Sequence, residues 1–134
     1  MRTRARECAF KIIFSNLFNP SDETLKKSVY KSAELSKEGK EYAEKLVDAV
    51  MLNIGELYEI IDKYAIGFSH ERIFPADKSA LLIAIAEIKY FEDTPSVVAI
   101  DEAIGLAKKY STEKSMGFIN GILATYLKDI SKEE

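Results

Sequence analysis

Residues 77–88 read DKSALLIAIAEI, and this stretch decides the fold class. Ala80, Leu81, Leu82, Ile83, Ala84, Ile85, Ala86 and Ile88 fall on every side of a helical wheel, with no period-two alternation of the kind a half-buried strand shows. A helix that is apolar all round has to be covered on all sides, so the rest of the chain must wrap it. Pro75 suits the first turn of this helix, where its missing N–H costs nothing. The apolar run is far short of the roughly 20 residues that span a bilayer. It reads as the central element of a core.

The flanking sequence supplies the wrapping helices. Thr94 and Pro95 open one in which Ile100, Ala103, Ile104, Ala107 and Tyr110 recur at helical spacing, and a last helix runs from about 112 to 130. Upstream, a first helix spans about 3–17, with Ala5, Cys8, Ala9, Ile12 and Ile13 on one face. The NPSDE stretch at 19–23 stops it, since Pro20 disfavours helix at Asn19 and Ser21 or Asp22 can cap the next helix. That second, short helix covers about 22–35. Ser36 offers an N-cap for a third, which buries Tyr42, Leu46, Val47, Val50 and Met51. Gly55 marks a bend before Leu57, Ile60, Ile61 and Tyr64, and Gly67 with the polar SHER stretch at 69–72 reads as a connection. The expectation is an all-α chain of about seven helices, one domain over 1–134. It divides into two packed bundles, about 1–68 and 69–134.

Composition narrows the function. With 134 residues and 47% hydrophobic content, a single core needs no staple. One cysteine excludes an intramolecular disulfide, and one histidine leaves no Cys/His cluster for zinc. The amino-terminal apolar stretch is broken by Lys11 and lacks a cleavage site, so a cytoplasmic protein without a membrane anchor is expected. The net charge of −3 argues against a wholesale basic nucleic-acid binder. Locally, however, residues 2–11 carry Arg2, Arg4, Arg6 and Lys11 against Glu7 alone.

Catalysis finds no footing. His70 reads as a solvated residue of the connection, Cys8 as a small buried hydrophobe, and the neighbours Asp101 and Glu102 as a solvated helix start that cannot converge. Gly117 and Gly121, four apart, suit close helix packing rather than a phosphate loop. No catalytic residue, cofactor or metal is expected. The first helix is more informative. Phe10, Phe14 and Phe18 form a second stripe with Thr3 and Glu7, flanked by Arg2 and Arg6 on one edge and by Arg4 and Lys11 on the other. Single-stranded RNA is bound by such a combination, with cations on phosphates and bases on rings. Packing of Phe10 and Phe14 beneath the rest of the chain, with solvated arginines, is the commoner explanation of such a stripe, and both readings stay open here.

The carboxy-terminal third adds a resemblance. PSVVAIDEAIGLAKKYSTEKSMGFINGIL, residues 95–123, resembles the NusB signature: a proline-initiated V-x-I-x-E-A-x-x-L-A-K helix, a short turn, then a serine followed by F-[VI]-N-G-[VI]-L. The matching residues are Pro95, Val98, Ile100, Glu102, Ala103, Leu106, Ala107, Lys108, Ser115, Phe118, Ile119, Asn120, Gly121, Ile122 and Leu123. RTRAREC at 2–8 looks like the arginine-rich opening of that family, and residues 77–88 resemble its D-[RK]-x-x-L-R-L-A-x-Y-E-L helix. Leu82 and Ala86 stand where that pattern has arginine and tyrosine, and Thr3 interrupts the arginine run.

The resemblance implies an all-helical fold of two packed bundles and a role in transcription antitermination. It implies binding of the boxA element of rRNA leader transcripts, as single-stranded RNA, together with the ribosomal protein that acts as NusE, within an RNA polymerase antitermination complex. It implies an RNA surface of Arg2, Arg4, Arg6, Phe14 and Phe118, and a protein-binding surface of Asp77, Glu113, Lys114 and Phe118. Two alternatives remain. One is an RNA-binding domain related to those of rRNA cytosine methyltransferases, although no cofactor-binding sheet pattern is present. The other is a helical adaptor that binds protein only, or a homodimer that masks the arginine-rich face.

Overall fold

The structure is a computed structural model that describes residues 2–19 and 23–132. Among these, seven α-helices and no strand occur: α1 (Arg2–Phe18), α2 (Glu23–Ala33), α3 (Lys37–Leu52), α4 (Ile54–Tyr64), α5 (Pro75–Tyr90), α6 (Ser96–Tyr110) and α7 (Glu113–Lys132), with a short 3-10 turn at His70–Arg72. The all-α expectation holds. The stop at Pro20 and the caps at Ser21 or Asp22 lie outside the described residues.

Local chemistry accounts for most boundaries. Ser36 caps α3, its hydroxyl accepting the Gly39 N–H at 3.1 Å, and Pro75 sits in the first turn of α5. Gly67 takes a positive φ of 85°, which favours glycine and lets the chain leave α4. Two expectations need correction. The break between α3 and α4 falls at Asn53 rather than Gly55; its side-chain amide donates to the Ala49 carbonyl at 2.8 Å and competes with the helix ladder. Gly55 lies in the first turn of α4. A Cβ added at Gly117 or Gly121 would meet nothing within 4 Å, so these glycines do not mediate close packing.

The core is built around α5, as its all-round apolar pattern predicts. Asp77 and every residue from Ser79 to Glu87 are buried. α1 packs mainly on α3 and α5, α6 lies along α5, and α7 closes against α6, α5 and α4. Ala5, Ala9, Ile12 and Ile13 of α1 join Leu46, Val50, Leu57 and Ile61, and Ile119 and Leu123 of α7, in one apolar cluster with α5. Cys8 is buried in it, and burial pushes its thiol pKa up. α2 is the exception, with no buried residue of its own. The consequence for function is that α1 has one side sealed by α3 and α5 and another side left open.

Candidate nucleic-acid interface

The sealed side contains a buried charge. Glu87 interrupts the apolar run of α5 and is fully buried, a position that a carboxylate occupies only with a partner. Arg6 provides it. Its Nε donates to Glu87 Oε1 at 2.7 Å and one terminal nitrogen to Oε2 at 2.9 Å, the two-pronged geometry of a strong pair. The other terminal nitrogen donates to Glu102 Oε1 at 3.0 Å, and Thr3 donates to the same oxygen at 2.6 Å. Tyr42 of α3 donates its hydroxyl to Glu87 and lies 3.2 Å from the Thr94 hydroxyl. Burial works against the Arg6 charge, yet the hydrogen bonds and charge of Glu87 outweigh it and hold the guanidinium pKa above its ordinary value. Burial, and then Glu87, raise that of the Tyr42 phenol.

This corrects two readings of the sequence. Arg6, placed on the RNA surface by the resemblance, is buried with all its functional nitrogens on carboxylates. Glu102 is not a solvated helix-start residue but the third member of the cluster. Arg2 leans the same way but stays at the surface: it reaches Asp93 at 3.2 Å, lies 4.4 Å above the Tyr42 ring, and keeps about half of its side chain in solvent. The reason is angular. At 100° per residue, positions 2 and 6 project with Ala9 and Ile13, on the side that α5 covers.

The open side of α1 carries Arg4, Glu7, Lys11, Phe14 and Phe18. Arg4 is exposed and, among the described residues, has no ion-pair partner. The aromatic stripe splits. Phe10 is buried, its ring stacked 4.9 Å from that of Tyr110 in α6. Phe14 continues the stack at 6.3 Å from Phe10 and is 37% exposed, and Phe18, 60% exposed, tilts against Phe14. Packing therefore explains Phe10, but it leaves faces of Phe14 and Phe18 in water. Phe10, Lys11, Phe14, Ala76 and Tyr110 surround a shallow cavity of about 240 Å³.

Glu7 fastens α6 to this side of α1, accepting from Lys109 Nζ at 2.9 Å and 3.0 Å and from the Tyr110 hydroxyl at 2.8 Å. Partial burial alone would raise the Glu7 pKa, but these hydrogen bonds, with the charges of Lys109 and Lys11, hold it below the ordinary carboxylate value. A lowered folded-state pKa means stability present above the unfolded-state pKa and lost as pH falls through the folded one. The difference in denaturation midpoint between wild type and Glu7→Gln should accordingly be present at neutral pH and shrink through the acid range. A gap that stays constant to the acid limit would show that Glu7 stays uncoupled from its lysines.

A second feature lies at the α6–α7 turn, which follows Tyr110. Asp77, at the start of α5, is buried and accepts from Ser111 Oγ at 2.5 Å and Ser115 Oγ at 2.8 Å. Expected on a partner-binding face, it pins the turn through these two hydroxyls and also lines the groove described next. Glu113 and Lys114 project from that turn into solvent. Phe118, half-buried, meets Phe68 edge to face at 5.6 Å. Phe68, Ile73, Phe74 and Phe118, with Arg72 and Lys114, line a mainly apolar groove of about 470 Å³, and Phe68 and Phe74 are 53% and 68% exposed. These two rings were missed in the sequence. Their signal is the pair of large apolar residues bracketing an otherwise polar connection, FSHERIF at 68–74. Leu82 and Ala86 are fully buried, so no partner reaches that part of α5.

His70 is held rather than solvated. Its ring stacks on Tyr58 at 4.0 Å with 10° between planes. Its Nδ1 lies 2.9 Å and 3.0 Å from the Asp62 carboxylate oxygens, and its backbone N–H donates to Asp62 at 2.7 Å. The clasp fixes the connection that carries Phe68 and Phe74.

Comparison with known proteins agrees with this architecture. Residues 3–128 match the NusB family. The chain is 36% identical over 135 residues to the transcription antitermination protein NusB of Natranaerobius thermophilus, covering 98% of this chain and 97% of that one. It is 38% identical over 125 residues to that of Listeria monocytogenes, covering 92% and 93%. Among solved structures, NusB of T. maritima superposes with a TM-score of 0.88 at 32% identity, over 96% of this chain and 91% of that one. A crystal structure of antitermination factors NusB and NusE in complex with double-stranded RNA superposes with a TM-score of 0.86 at 29% identity, over 96% of each chain. In sequence and in fold, this chain belongs to the NusB family.

Proposed function

We propose that the chain is a cytoplasmic transcription antitermination factor that binds boxA-type single-stranded RNA of rRNA leader transcripts together with the ribosomal protein NusE. In this reading it serves an RNA polymerase antitermination complex and catalyses nothing itself. One observation carries the proposal: an exposed aromatic shelf at Phe14 and Phe18 and an apolar groove at Phe118 have linings at neighbouring positions, Ala76 and Tyr110 for the first and Asp77 and Thr112 for the second. A relative of this fold is known bound to NusE and RNA together. The shelf suits a stacked base, with Lys11 at its edge for phosphate and Arg4 about two turns further toward the start of α1. The groove, with Glu113 and Lys114 at the turn, suits a protein partner, and Phe118 lies where the two would meet. Arg2 is tied to Asp93 and borders the RNA surface from the far edge. Arg6 and Asp77 act from inside, by fixing α1 and the turn.

The test is titration of RNA and NusE in combination. The protein alone should bind boxA-type RNA weakly, because one open basic edge on a net-acidic chain gives little attraction. NusE should tighten RNA binding, and RNA must then tighten the protein pair by the same factor. Phe14→Ala should weaken RNA binding by about 1–3 kcal/mol while leaving its salt dependence unchanged, as loss of stacking does. Binding of NusE without any response to RNA would identify a protein-only adaptor. Failure of the wild type to bind NusE in the presence of boxA RNA would overturn the antitermination reading.

A further inference from the structure

Next to the aromatic shelf lies a cleft of about 330 Å³ between α1, α2 and α6, whose lining includes Arg4, Glu7, Lys11, Ser32 and Lys109. Three of these residues are cations and one is an anion. Glu7 is shared between them: the Lys109 ammonium bonds both its oxygens, and the Lys11 ammonium stands 4.0 Å from Oε1. A single carboxylate, already accepting from Tyr110 as well, gathers the two lysine heads without cancelling three positive charges. The cleft therefore keeps an excess of positive charge on a chain whose net charge is −3. Its lysine side chains are 47% and 59% exposed, so their remaining donors face solvent. Lys11 lines both this cleft and the cavity at Phe14, which makes the two features continuous.

We propose that the cleft between α1, α2 and α6 takes the phosphodiester backbone of the single-stranded RNA whose base stacks on Phe14, with Arg4, Lys11 and Lys109 as its phosphate ligands. This rests on the RNA-binding reading above and extends the RNA surface from the arginine-rich helix onto α6. Phosphate fits the donor set better than a base edge does. Ammonium groups act on phosphate as point charges, and the cleft gathers cationic donors together with the neutral Ser32 hydroxyl. Contacts of this kind position the strand without reading its sequence.

The experiment measures affinity of the protein, with NusE present, for a boxA-type single-stranded RNA and for a scrambled RNA of equal length across a salt series. Lys109→Gln should weaken both RNAs alike, on the order of five-fold at moderate salt, and flatten the slope of log affinity against log salt by about 0.7. Lys109→Arg should retain the slope. Lys63→Gln, the same charge change on an exposed residue of α4, should leave it untouched. If Phe14→Ala weakens binding while Lys109→Gln and Lys11→Gln behave like Lys63→Gln, the cleft is not a phosphate track, and the RNA-binding reading survives without it. If the wild type binds neither RNA, both fall together.

Discussion

Glu87→Ala should destabilise the fold by about 3–5 kcal/mol, the cost of leaving a buried ion without its partner. The truncation strands the Arg6 guanidinium, whose Nε and one terminal nitrogen lose their acceptors, and it removes the acceptor of the Tyr42 hydroxyl. Only Glu102 would remain for Arg6, on a single terminal nitrogen. Arg6→Ala should cost a comparable amount, because Glu87 would then be a fully buried carboxylate with Tyr42 alone. Replacing both, as Arg6→Met with Glu87→Leu, should cost far less than the two single losses added, since no uncompensated charge is left behind. Chemical denaturation of the four proteins makes the comparison. A loss below about 1 kcal/mol in Glu87→Ala would mean that water reaches the pair, as it does in exposed ion pairs.

The same cluster alters how an RNA-binding experiment on the first helix is to be read. A run of arginines invites the assumption that each contacts phosphate, and truncating Arg6 would indeed abolish binding if the protein unfolded. The geometry divides the run instead: Arg4 faces water, Arg2 is tied to Asp93 across the Tyr42 ring, and Arg6 is inside. Affinity lost in Arg6 variants should accordingly track the folded fraction, whereas loss in Arg4 or Lys109 variants should track salt.

The fold was legible because its strongest signal, the apolar run of α5, admits one arrangement. Helix starts at Ser36 and Pro75 followed from single residues whose side chains or rings act locally. The break at Asn53 was obscured by Gly55, two residues on, whose absent side chain suggested the bend that an asparagine amide makes. In the site, the aromatic stripe of α1 was visible, but periodicity alone could not say which of its edges α5 would cover. Glu87 held that information: a lone carboxylate within ALLIAIAEI has to find a cation, and Arg6 lies on the face of α1 that also carries Ala9 and Ile13. Asp77 has a second role that no local pattern shows: two serines thirty-four and thirty-eight positions away hold its carboxylate at the edge of the groove. The groove at Phe68 and Phe74 was hidden because it is made by a connection folding onto α7, a contact that no local pattern encodes.

Leu81→Ala and Ile85→Ala should each cost about 2–5 kcal/mol. Both side chains are fully buried, one helical turn apart on the same face of α5. That helix is contacted by α1, α3, α4, α6 and α7, so neighbours on all sides restrain the collapse that would fill a cavity. The pair should be non-additive, because the second truncation enlarges a void the first has opened. Leu52→Ala and Ile66→Ala, at residues 83% and 89% exposed, should stay within about 0.5 kcal/mol of wild type and calibrate the urea titrations used for all four. Function should depend on stability here, since α5 carries the two buried carboxylates that order the surfaces at its ends: Asp77 beneath the α6–α7 turn and Glu87 beneath α1. In Ile85→Ala protein that remains folded, protection of the Ser111–Ser115 turn and of α1 from hydrogen exchange should fall together. A stability loss below about half a kcal/mol in either α5 variant would place that helix at the surface and remove the frame on which both ends of the interface depend.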